Sequence, residues 1–198
     1  MSFLDIQIHT GWGRVLQSFA DWCQPQAEWM TLDVGCGPGL LPALLSRRSC
    51  LAFGVDLNAN MFSPSRLPSQ LALADAIRLP FSDNTFHLVT ASNLLFLLAD
   101  PLPVLQEMAH LVKPEGQIAV LNPSEHMSVA AATTLADQRG LQGLDQDSLL
   151  NWAALAEANR RWGESELNGL FTRVGLKLAE TTLKVGPGLA RLAKGVRT

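Results

Sequence analysis

An acid two residues ahead of three alternating glycines, Asp33 followed by Gly35, Gly37 and Gly39, is the segment best equipped for chemistry. Glycines tolerate a tight turn and leave no Cβ between the backbone and a ligand. The helix that begins at Leu40 would add free N–H groups and a positive dipole end. A dinucleotide fingerprint, Gly-x-Gly-x-x-Gly, requires a glycine where this chain has Leu40 or, in the second register, Pro42. A carboxylate at position 33 would also repel a pyrophosphate, whereas a cationic ligand is welcome there. Cys36 stands at an x position without a histidine nearby in sequence, so it is expected to contribute backbone and not a nucleophile.

Other polar residues have two readings each. Asp56 and Asp75 end apolar runs, where they either cap the following turn or hold a ligand. Asn93 follows a third run and either orients a substrate or caps a turn. His9 and His126 are candidate general bases or ordinary surface residues. Trp12, Trp22, Trp152 and Trp162 either line an aromatic cage or belong to the core.

The elements that must position these residues follow from apolar periodicity. Trp12, Val15, Leu16, Phe19, Trp22 and Cys23 recur at three- and four-residue spacing, which predicts a helix ending near Pro25. Apolar runs at 29–34, 51–56, 71–75, 86–91 and 117–121 read as buried strands. Helices are expected at 40–45, with Pro42 in its first turns, and at 101–112. Residues 122–170 suit one or two helices around a flexible 140–143 loop. Residues 176–185 and 189–196 flank Gly186-Pro187-Gly188 as an antiparallel hairpin. Near-continuous apolar strands alternating with helices give an α/β fold whose mostly parallel sheet is covered on both faces. One domain is expected over residues 1–198. It divides into an N-terminal helical arm (1–27), a ligand-binding core (28–121), a helical lid or substrate insertion (122–165) and a C-terminal helix and hairpin (166–198).

With 47% hydrophobic and 17% charged residues and a net charge of -3, the chain has no Lys/Arg run to hold nucleic acid. Its most basic stretch, 184–197, spaces its charges and reads as a solvated strand pair. Cys23, Cys36 and Cys50 have no metal-ligand spacing, so no metal is expected, and reduced thiols fit a cytoplasmic protein. The N-terminus is not a secretory signal and no apolar stretch reaches membrane-span length.

The segment 32–40 resembles the first motif of class I S-adenosylmethionine-dependent methyltransferases. The likeness continues through Gly54-Val55-Asp56-Leu57 and Ala74-Asp75-Ala76. It extends to Leu79-Pro80-Phe81-Ser82-Asp83 with Phe86-His87-Leu88-Val89, and to Leu111-Val112-Lys113-Pro114-Glu115-Gly116. It is strong over 28–121, weak over 165–197, and nearest to the ubiquinone/menaquinone-biosynthesis methyltransferases. The resemblance implies a Rossmann-like seven-stranded sheet with helices on both faces and a C-terminal antiparallel hairpin. It implies S-adenosylmethionine as cofactor, with S-adenosylhomocysteine as product. It assigns Asp33, Gly35, Cys36, Gly37 and Gly39 to the cofactor, Asp56 and Leu57 to its ribose end, Asp75 and Ala76 to its adenine, and Asn93 to the region where the methyl emerges. The family often carries a histidine where this chain has Phe96-Leu97-Leu98. With Met127 and Trp12, these residues are expected to form an apolar pocket edge, which favours a small hydrophobic acceptor over protein or nucleic acid. The implied reaction is in-line methyl transfer. The alternative is a non-catalytic or partner-dependent subunit that binds the cofactor.

Overall fold

The computed structural model describes residues 2–62 and 70–197. Two helices, α1 (Phe3–His9) and α2 (Gly11–Trp22), precede the first strand. Thr10 both ends α1 and starts α2. Its hydroxyl donates to the Ile6 carbonyl at 2.7 Å and accepts from the Trp12 amide at 3.3 Å. Then follow β1 (Met30–Val34), α3 (Leu40–Ser46), β2 (Leu51–Asp56), β3 (Gln70–Leu73), β4 (Phe86–Ser92), α4 (Leu102–Leu111) and β5 (Val112–Pro123). The chain continues through α5 (Val129–Arg139), α6 (Leu144–Ala158), α7 (Glu164–Arg173), β6 (Leu176–Lys184) and β7 (Ala190–Arg197).

The seven strands run in the order β3-β2-β1-β4-β5-β7-β6. All neighbours are parallel except β7, which is antiparallel to both β5 and β6. The strand order reverses between β1 and β4, and that reversal opens a crevice beyond their carboxyl ends. Alternate strand residues feed two cores. Val34, Val89, Ala91, Ile118 and Val120 pack against α4 and α7 on one face. Leu88, Ala119, Leu121 and Leu192 pack against α2 and α3 on the other. Burying one α2 ring, that of Phe19, stabilises by roughly 2–3 kcal/mol.

The structure refines several element bounds. β5 begins at Val112, because Lys113-Pro114-Glu115-Gly116 lies within the strand at an irregular register against β4. A bulge is where a sheet tolerates proline. β3 ends at Leu73, short of Asp75, which instead closes a turn by accepting the Ile77 amide at 3.1 Å. The largest difference concerns the basic stretch 184–197. Arg191 and Lys194 are buried, because β7 lies inside the sheet and not at its edge. Arg191 forks onto Glu125 at 2.5 and 3.1 Å and reaches the Thr181 hydroxyl at 2.9 Å. Lys194 lies 4.6 Å above the Trp22 ring and 3.4 Å from Glu180. Charges buried in this way must be paired, and spacing along one strand carries no sign of partners on other elements.

Candidate functional site

The crevice over β1 and β4 is built from backbone and two acids. The strand register sets Asp33 opposite Thr90, whose hydroxyl donates to Asp33 Oδ1 at 2.7 Å. Asp33 is 1% exposed. Burial pushes its carboxyl up to about 7, with the Thr90 hydrogen bond opposing and the Asp56 charge adding to the rise. Beyond β1, the amides of Gly35 and Cys36 donate to the Val55 carbonyl at 2.9 Å, which ties the loop to β2. Gly35, Gly37 and Gly39 have φ of 71°, 53° and 89°, the left-handed region that favours glycine. A Cβ on Gly35 would meet the Leu94 side chain at 3.1 Å, and one on Gly37 would lie 3.5 Å from the Phe3 ring.

Asp56 fastens the loop from the neighbouring strand. Its Oδ2 accepts from the Gly37 amide at 2.8 Å and its Oδ1 from the Asn58 amide at 2.9 Å. A carboxylate oxygen has more than one acceptor site, so both remain able to accept a further hydroxyl. Leu57, Leu73 and Ile77 leave apolar surface exposed at the ends of β2 and β3, around Asp75 and half-buried Ala76. Cys36 is buried beneath Gly54, and burial raises its thiol above the ordinary range. It is an inert packing group.

At the end of β4, Asn93 adopts φ 55° and donates its amide to Leu121 at 2.8 Å. Its Oδ1 accepts from Trp152 Nε1 at 3.0 Å. Trp152 in turn packs on Trp12 with ring centroids 4.8 Å apart. These two rings form one end of a cavity of about 280 Å³, enclosed by α2, the α5–α6 pair and the β6–β7 turn. Val15, Leu135, Leu149 and Leu192 continue its apolar wall, and Arg14, Arg139, Lys184 and Asp145 also line it. No residue between 28 and 121 does so.

Other expected site residues lie elsewhere. His9 bonds back to the Asp5 carbonyl in its own helix at 3.0 Å, and His126 lies 3.7 Å from Glu125. Neither lines the cavity. Trp22 belongs to the Lys194 pairing and Trp162 is buried, so only two of the four tryptophans meet at a pocket. Phe96 and Met127 are core residues and Leu97 faces solvent, so they do not form the expected pocket edge. Missed from sequence were Thr90 and the three cations. A lone hydroxyl inside the apolar run 86–91 was a readable signal for Thr90, whereas the cations come from three distant segments.

Residues 32–120 match the family model described as a methyltransferase domain. The chain is 28% identical over 166 residues to the demethylmenaquinone methyltransferase of Corynebacterium kroppenstedtii, an alignment covering 80% of this chain and 71% of that protein. It is 32% identical over 135 residues to the protein of the same name from Shouchella clausii, covering 63% of this chain and 56% of that relative. Residues 32–120 are a methyltransferase domain. Methyl transfer is its class of reaction. In fold, the chain superposes on magnesium protoporphyrin IX methyltransferase from Synechocystis PCC 6803 with bound SAH. The TM-score is 0.68 at 15% identity, over 100% of this chain and 89% of that one. Among the described residues, no helix is long and apolar enough to cross a membrane.

Proposed function

We propose that the chain transfers a methyl group to a small apolar acceptor held in the cavity between α2 and the α5–α6 pair. The observation that carries this reading is the Trp152–Asn93 hydrogen bond. It joins the cavity wall to the end of β4, beside the glycine loop. The N-terminal arm and the 122–165 insertion thereby act as the acceptor side and lid of the cofactor crevice.

The residues of the crevice fit the cofactor. Both Asp56 oxygens can take a ribose hydroxyl while holding the loop. Buried Asp33 has a hydroxyl partner but no cationic one within ion-pair distance among the described residues, so a positive group above the loop favours its charged form. Beside Asp75 and Ala76, the exposed Leu57, Leu73 and Ile77 side chains offer apolar surface to an adenine. S-adenosylmethionine bound there supplies a methyl already activated on a sulfonium. The chain's own contribution is alignment and exclusion of water, because no histidine lines the cavity. The acids at Asp33, Asp56 and Asp75 argue against a fully degenerate subunit that no longer binds the cofactor.

Calorimetric titration with S-adenosylhomocysteine, followed by labelled methyl transfer to a panel of small phenols, quinols and aromatic acids, tests this. Saturable binding and transfer to a panel member are expected. Failure to bind S-adenosylhomocysteine would overturn the reading.

A further inference from the structure

We propose that the acceptor carries an anionic group, a carboxylate or a phosphate, on its apolar body, and that Arg14, Arg139 and Lys184 read that group. This rests on the reading of the cavity as the acceptor site.

The three cations arrive from unrelated parts of the chain. Arg14 is on α2, Arg139 ends α5 and Lys184 ends β6, yet all line one cavity. Among the described residues none of them has an acidic side chain within ion-pair distance. Most described cations are likewise unpaired, so what sets these three apart is their convergence on one cavity. The cavity's one acid, Asp145, is already engaged, accepting the Gly11 amide on Oδ1 at 2.8 Å. Three positive groups and one negative give the lining a net charge of +2, on a chain of net -3. A patch of this sign, against the overall charge, draws anions to the mouth.

The rest of the cavity sets the form of the ligand. The Trp12–Trp152 pair with Leu135 and Leu149 makes an apolar wall suited to a flat or branched hydrocarbon body. A volume of about 280 Å³ is near the lower end for small-molecule sites. Guanidinium forks match carboxylate and phosphate oxygens, and a lysine adds a point charge. All three cations are solvent-exposed at the rim, so their attraction must weaken in salt.

The test is calorimetric titration, with and without S-adenosylhomocysteine, using naphthoate, its neutral counterpart naphthamide, and the pair phenyl phosphate and phenol. Naphthoate should bind at least about tenfold more tightly than naphthamide. The phosphate pair shows which anion the rim prefers. In the combined Arg14→Gln, Arg139→Gln, Lys184→Gln variant the preference should fall below about threefold, with naphthamide affinity retained. High salt should shrink the preference in the unaltered protein, a readout that needs no variant. Equal affinities within both pairs, no binding of any of the four compounds, or a preference that survives both high salt and the substitutions would overturn the inference. If S-adenosylhomocysteine binds and the charge preference is absent, only this inference fails. If S-adenosylhomocysteine does not bind, the methyl-transfer reading fails instead.

Discussion

The proposed cofactor crevice and the proposed acceptor cavity share the carboxyl edge of the sheet, and they are made of different material. The crevice over β1 and β4 is formed by alternating glycines, their amides and acids at strand ends. The cavity beside it is formed by side chains from α2, α5, α6 and the hairpin turn. A backbone site is hard to alter, because changing a ledge of amides means changing the turn itself. A side-chain site can be rewritten residue by residue while the sheet stays as it is. The Trp152–Asn93 hydrogen bond is where the two meet.

The comparison can be broken most forcefully at Asp33. Its folded-state value near 7 lies above the unfolded carboxylate range. The stability this group contributes is therefore fully present below about pH 4 and is lost as pH rises through about 7. Relative to Asp33→Asn, the unaltered protein should lose up to about 4 kcal/mol across that window in urea melts without cofactor. A difference that grows in the opposite direction would show that the acid is not strained by burial. Next in size, Asp56→Ala removes the partner of the Gly37 and Asn58 amides and should weaken S-adenosylhomocysteine about a hundredfold by titration. Ligands of the cavity should be nearly unaffected, and equal losses at both sites would erase the distinction between them. Smallest, Trp152→Phe keeps the ring and deletes the bond to Asn93. It should cost about 1 kcal/mol, a fall in Tm of about 2–4 °C, with S-adenosylhomocysteine affinity changed less than about threefold.

The same difference in material explains what was legible in the sequence. The glycine loop, its flanking strands and the hairpin are local patterns, and all of them stand where periodicity and turn chemistry put them. The cavity is a meeting of residues more than a hundred positions apart, such as Trp12 with Trp152 or Gly11 with Asp145. No spacing rule brings those together. Arg191 and Lys194 were misread for a related reason. A strand's burial depends on which strands flank it, and β7 lies between β5 and β6 only because the hairpin folds inward. His9 and His126 had the right residue type but belong to local contacts, with their own helix and with Glu125.

The most direct measurement is a crystal structure with S-adenosylhomocysteine bound. Its ribose should meet both Asp56 oxygens, and its sulfur should face Asn93 and the Trp152 end of the cavity. A sulfur turned away from Trp152, with no opening between it and the cavity, would contradict the union of the two sites.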